Sequence, residues 1–186
     1  MKQFQIQLFK GHPIINDGVN RILIDTGAPS TIHASKRLNF CSESFECSTN
    51  YLGLTASKIS DMLGTEITTL LGSDILSDYK ILLDYENQVI EFSKQEIDID
   101  GTKVDISNFL GIPIIKMTVD NQELKFFLDT GAKLSYLSDS LTSNYESVGT
   151  DEDFYPGVGK FQTECFEIPT VFGDKKFVVK YGNLPA

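Results

Sequence analysis

One pattern occurs twice in this chain, and it restricts the fold more than any other feature. Gly11-His12-Pro13-Ile14-Ile15 is followed by Ile22-Leu23-Ile24-Asp25-Thr26-Gly27-Ala28. Gly111-Ile112-Pro113-Ile114-Ile115 is followed by Phe126-Phe127-Leu128-Asp129-Thr130-Gly131-Ala132. The Gly-x-Pro segments lie 100 residues apart (11 to 111) and the aspartates 104 apart (25 to 129), so the second copy carries a four-residue insertion between them. Two related halves are implied, since a solenoid needs three or more repeats.

Each copy reads as a Pro-led apolar strand, a polar turn and a second apolar strand ending at the aspartate. The turns are Asn16-Asp17-Gly18 and Asp120-Asn121-Gln122. Residues 1–9 alternate polar and apolar side chains, the period of a half-buried strand. Ala56 to Leu63 has the spacing of a short helix. Lys80 to Tyr85 and Val89 to Phe92 flank Glu86-Asn87-Gln88 as a hairpin that closes the first half. Residues 93–104, rich in Lys, Asp and Gly, read as the connection. The expected division is therefore residues 1–95 and 96–186, and the expected class is all-β.

Composition narrows the partners. Of 186 residues, 41% are hydrophobic and 23% charged, ordinary values for a chain that buries a core. The net charge of −10 leaves no clustered basic face for nucleic acid or anionic lipid. The N-terminal alternation is unlike the continuous apolar run of a secretory signal, and no window approaches the ~18 apolar residues of a membrane span. A cytoplasmic protein is expected. Cys41, Cys47 and Cys165 form an odd set without a Cys-x-x-Cys pair. Free thiols are the default, with a Cys41–Cys47 bridge as the alternative. His12 and His33 lack partners at ligand spacing and read as structural or exposed; no metal or cofactor is expected.

A given tripeptide such as Asp-Thr-Gly should occur on the order of 0.03 times in a chain of this size. Two copies, each extended by Ala and led by an apolar strand, exceed what turn-forming composition explains. Paired carboxyls sharing one proton supply both a base for water and an acid for a carbonyl oxygen. Two ionised carboxylates ~3 Å apart repel by about 5 kcal/mol at an effective dielectric of ~20, which keeps that proton bound. Gly27 and Gly131 permit close backbone approach. Thr26 and Thr130 carry hydroxyls that donate and accept together.

On these loops the chain resembles the aspartic protease superfamily, which includes pepsin-like and retroviral (retropepsin) enzymes, over nearly its whole length. Ala28 and Ala132 after the glycines resemble retropepsins more than pepsin. Leu70-Leu71-Gly72 matches the family's second signature, two hydrophobic residues and Gly. With Asp74-Ile75-Leu76 and the closing hairpin it is similar to bacterial retropepsin-like peptidases, here with both halves on one chain.

The resemblance implies a two-lobed acid-protease barrel, catalytic Asp25 and Asp129, and supporting loop residues Thr26, Gly27, Ala28, Thr130, Gly131 and Ala132. It also implies a loop-bracing motif at Leu70, Leu71 and Gly72, threonine hydroxyls bonding across to the opposite loop, and substrate lying extended under hairpin flaps. Tyr155, Gly157 and Gly159 mark a candidate flap in the second half; Phe40 to Thr49 is its candidate counterpart. Without a hydroxyl at Ala28 and Ala132, an activity optimum less acidic than pepsin's is expected.

The second half departs from the pattern. Aligning Tyr181 to Ala186 with Asn50 to Leu54 leaves nothing equivalent to residues 56–92, so the second lobe is expected to lack its helix, bracing motif and closing hairpin. A cut chain, a naturally minimal lobe, or completion by another chain through dimerisation or strand exchange would each account for that. The leading function is an aspartic endopeptidase acting on peptide or protein as a monomer with paired lobes or as a dimer. The alternatives are a non-catalytic peptide-binding or interaction module on the same fold, and hydrolysis of another bond.

Overall fold

The computed structural model describes residues 1–155 and 158–185. The first half runs β1 (Lys2–Phe9), β2 (His12–Asn16), β3 (Arg21–Ile24), β4 (Ile32–His33), β5 (Arg37–Phe40), β6 (Glu43–Glu46), α1 (Ala56–Leu63), β7 (Thr69–Leu71), α2 (Ser73–Leu76), β8 (Lys80–Asp84) and β9 (Val89–Ser93). The second runs β10 (Ser107–Phe109), β11 (Ile112–Val119), β12 (Gln122–Phe127), β13 (Ser135–Leu137), α3 (Asp139–Thr142), β14 (Gly149–Tyr155), β15 (Gly159–Phe172) and β16 (Lys175–Asn183). The protein is mostly β. No helix is long and apolar enough to cross a membrane among the described residues.

Matched turns open the two halves. Lys10 and Gly11 have φ of 50° and 90°, Leu110 and Gly111 53° and 82°. Positive φ at both central positions gives the tight hairpin whose twist suits the flanking strands. The hairpin that follows pairs Ile15 with Ile22 in the first half and Ile115 with Phe126 in the second. The four extra residues lengthen the second hairpin's strands, which pair on to Val119 and Gln122 around Asp120-Asn121.

Sheet membership divides between Ser93 and Ser107. One seven-stranded sheet has the order β4-β7-β3-β2-β1-β9-β8; the other has β10-β11-β15-β16-β13, with β12 on β11 and β14 on β15. The expected barrels are not closed: the terminal strands β4 and β8 are unpaired with each other, and β4 offers only two residues. The remaining small sheet, β5 with β6, lies where a first-half flap is expected. Leu38 and Phe40 sink its strand β5 into the core, leaving a turn at Cys41 and Ser42.

In the first half β3 is buried on both faces. Ile22 and Ile24 point into a cluster with Leu71, Ile75, Phe40 and Phe92, and Leu23 points into another with Ile59, Leu63 and Leu70. Both faces are covered because β7 pairs with β3 in parallel and α1 packs behind it. Thr55 caps α1 by accepting from the Lys58 N–H, and Gly64 ends it with φ 79°. Among the described residues, the second half has one small cluster of Val119, Leu137, Phe166, Ile168 and Tyr181. Among the described residues no strand pairs the outer edge of β12.

The equivalence drawn from sequence for the chain's last residues is corrected by the parallel pairing near β4 and β13. Ser48 bridges to Ile32, and Gly182 pairs with Tyr136, the position 104 residues after Ile32. Ser48, not the Asn50 to Leu54 stretch, therefore matches Gly182. Between these points the first half has one hairpin and the second has α3, β14, β15 and most of β16. Short motifs could not anchor an alignment across so large a difference in length.

Candidate active site

The two repeated loops meet across the halves. The Thr26 N–H donates to Thr130 Oγ1 at 3.1 Å, and the Thr130 N–H donates to Thr26 Oγ1 at 3.0 Å. Each hydroxyl in turn donates to the carbonyl preceding the other aspartate, Thr26 to Leu128 O and Thr130 to Ile24 O. Each threonine thus uses backbone N–H and hydroxyl together, as its chemistry allows. Four reciprocal bonds between loops far apart in sequence leave little freedom to slide.

That lock sets the carboxyls face to face. Asp25 Oδ1 accepts from the N–H groups of Gly27 and Ala28 at 3.0 and 2.9 Å, and Asp129 Oδ1 from those of Gly131 and Ala132 at 2.8 and 3.2 Å. A Cβ at Gly27 would come 2.5 Å from both Asp129 carboxylate oxygens, and one at Gly131 2.5 Å from Asp25 Oδ2. Only glycine admits the opposing carboxyl at that range. Desolvation, then the charge of Asp129 and a hydrogen bond with it, hold the Asp25 carboxyl well above its ordinary range; its backbone donors oppose this.

The first loop is braced from behind. The Asp25 N–H donates to Leu71 O at 3.0 Å, the Gly72 N–H to Thr31 Oγ1 at 3.0 Å, and the Ser73 N–H to Ala28 O at 2.7 Å. Ser73 Oγ donates to Thr26 O, and Asp74 accepts both the N–H and the hydroxyl of Thr31. Leu70 packs beneath the loop with Ala28. A Cβ on Gly72 would meet the Ser30 backbone carbon at 2.8 Å and Ala28 O at 2.9 Å. Leu70, Leu71 and Gly72 therefore sit against the loop they were expected to support.

Around Asp129 the arrangement differs. Asp25 is half-buried, Asp129 exposed. Tyr155 and Gly159 pair at the tip of the β14–β15 hairpin; Gly157, the third flap residue expected from sequence, lies outside the described residues. Sequence reading missed Lys133, Asp151 and Asp153. Asp151 and Asp153 alternate on β14 and so share one face, a period-two signal legible only once β14 is known to be a strand beside Lys133. Hydrogen bonds from Lys133 and Lys180 hold the Asp151 carboxyl well below the usual carboxylate range.

His12 and His33 are buried. His12 Nδ1 lies 2.9 Å from Gly131 O, and His33 Nδ1 2.8 Å from Thr69 Oγ1. Burial lowers the His12 pKa, opposed by the nearby Asp153 charge. Cys41, Cys47 and Cys165 are free thiols, so no Cys41–Cys47 bridge forms. No protein-family model matches this chain, and no curated protein matches it.

Proposed function

We propose that this chain is an aspartic peptidase with the two-lobed acid-protease fold, hydrolysing peptide bonds through a water held between Asp25 and Asp129. The observation that carries the reading is the reciprocal bonding of Thr26 and Thr130, which places two carboxyls side by side. The raised pKa of Asp25 keeps one proton on the pair while the other carboxyl remains available as base. The base takes a proton from water as oxygen attacks the carbonyl carbon. The shared proton goes to the carbonyl oxygen. The proton taken from water then passes to the amide nitrogen while a hydroxyl of the tetrahedral diol returns one to the pair, and the C–N bond breaks to give carboxylic acid and amine.

An extended peptide is the substrate form that suits a cleft between two sheets, because its main chain can bond as an added strand. A non-catalytic peptide-binding module is the second reading. The observation favouring it is the exposure of Asp129 beside the uncovered edge of β12, where water competes with any bound carbonyl.

Cleavage of a mixed peptide library separates the two. The wild-type chain should cleave, and Asp25→Asn and Asp129→Asn should each lower the rate by roughly 10²–10⁴-fold. A pepstatin-type transition-state mimic should inhibit the wild type. Equal cleavage by wild type and Asp25→Asn would refute the dyad, while binding without cleavage by the wild type would favour the module.

A further inference from the structure

In the first half, Thr31, just beyond the loop, is fixed by a carboxylate: Asp74 accepts its N–H at 2.9 Å and its hydroxyl at 2.6 Å. Asp74 belongs to the brace, which has no counterpart beside β12 among the described residues. A buried carboxylate that likewise accepts one backbone N–H and one hydroxyl, here from two residues, nevertheless stands beyond the second loop. Asp153, 5% exposed, accepts the Lys133 N–H on Oδ2 at 3.1 Å and the Tyr136 hydroxyl on the same oxygen. It comes from β14, a different part of the chain.

The rest of β14 strengthens that hold. Lys133 directly follows Asp129-Thr130-Gly131-Ala132, and its ammonium donates to Glu152 O at 3.0 Å and pairs with Asp151. Lys180 on β16 pairs with Asp151 from the other side at 2.8 Å. Phe154, next along, packs against the first-half cluster of Ile14, Leu23 and Leu70. Its ring lies 5.5 Å from that of His12, which itself bonds Gly131 O. β14 therefore grips the end of the second loop with one residue and the first half with the next.

We infer that Asp153 is a positioning residue that holds the Asp129 loop in place of the missing brace, with β14 as a strap tying that loop to the first half. A buried carboxylate can do this because one oxygen accepts two donors, and removing it leaves the Lys133 N–H and the Tyr136 hydroxyl without partners. The catalytic consequence rests on the proposed function; the structural role does not.

Hydrogen exchange on the full-length chain, run beside peptide cleavage, tests both parts separately. In Asp153→Ala the amides of Gly131, Ala132 and Lys133 should exchange about tenfold faster, while those of Gly27 and Ala28 stay as in the wild type. The turnover number should fall by roughly 10²-fold, since a small displacement of a reacting group has that effect. KM should change by less than about threefold. Asp153→Asn, which keeps an acceptor oxygen, should recover part of both, and Tyr136→Phe should show a smaller loss of each kind.

Asp25→Asn should lower cleavage by roughly 10²–10⁴-fold without altering exchange at Lys133, so a chain that never cleaves leaves the strap judged by exchange alone. Unchanged exchange at residues 131–133, or equal acceleration throughout β11 to β16, overturns the proposal. If Asp153→Ala does not fold, Tyr136→Phe and Asp153→Asn carry the same comparison.

Discussion

Leu23 and Phe127 stand at the same place in the two halves, two residues before the aspartate, and their surroundings differ. Leu23 is 1% exposed beneath β7 and α1; Phe127 is 57% exposed. The next residues repeat the contrast, Ile24 at 1% and Leu128 at 41%. Among the described residues, one repeated sequence motif thus sits in a half with two apolar clusters and in a half with one. The loops themselves are nearly superimposable in their bonding, so the local chemistry of Asp-Thr-Gly-Ala does not depend on the brace. What the brace supplies is burial behind the loop, and the second half obtains its support from β14.

The sharpest way to break this comparison is to truncate the matched apolar residues. Leu23→Ala should destabilise the chain by about 2–5 kcal/mol, the usual result of emptying a well-packed site. Phe127→Ala should change stability by no more than about 0.5 kcal/mol, because its ring is already in water. Denaturant midpoints measure both. Equal losses would mean that β12 is covered in solution.

The loops should behave alike where the two halves do not. Thr26→Ala and Thr130→Ala each strand a backbone N–H of the opposite loop, costing roughly 1–3 kcal/mol apiece. Their double mutant should lose less than the sum, because the two share one network. Additive losses by thermal denaturation would show that the reciprocal bonds act separately.

The smallest effect concerns pH. Folding raises the Asp25 pKa above its ordinary value of 3.8, so the folded chain holds a proton that the unfolded chain releases. Its contribution to stability is fully present below that ordinary value and is lost as pH rises through the raised one. Asp25→Asn should therefore gain relative to wild type on going from acidic to neutral pH, read as the difference in Tm between the two across a pH series. A constant difference would mean that folding does not raise the Asp25 pKa. For activity, the optimum should lie above about pH 3, since Ala28 and Ala132 offer no hydroxyl to the ionised pair.

Much of this was legible from residues alone. The β1 strand, the helix at Ala56 to Leu63 and the hairpin around Glu86-Asn87-Gln88 follow from period and turn chemistry over a few residues. Both loops were legible because the motif repeats and uses glycine where only glycine fits; the Leu70-Leu71-Gly72 brace came from the family resemblance alone. The β14 strap was not. Asp151 and Asp153 lie in an acidic, polar stretch, and nothing within that stretch says that Lys133, about twenty residues earlier, bonds to it.

The sequence by itself determined two related hairpins, each ending in the same loop, because backbone turns and strand alternation are decided by neighbouring residues. The resemblance implied the lock through Thr26 and Thr130, but only the tertiary structure decided that Asp129 stays exposed while Asp25 is half-buried and that Asp153 holds the second loop. Those outcomes depend on which distant strand lies alongside. Strand pairing across a long loop is set by the summed burial of whole faces rather than by any short motif.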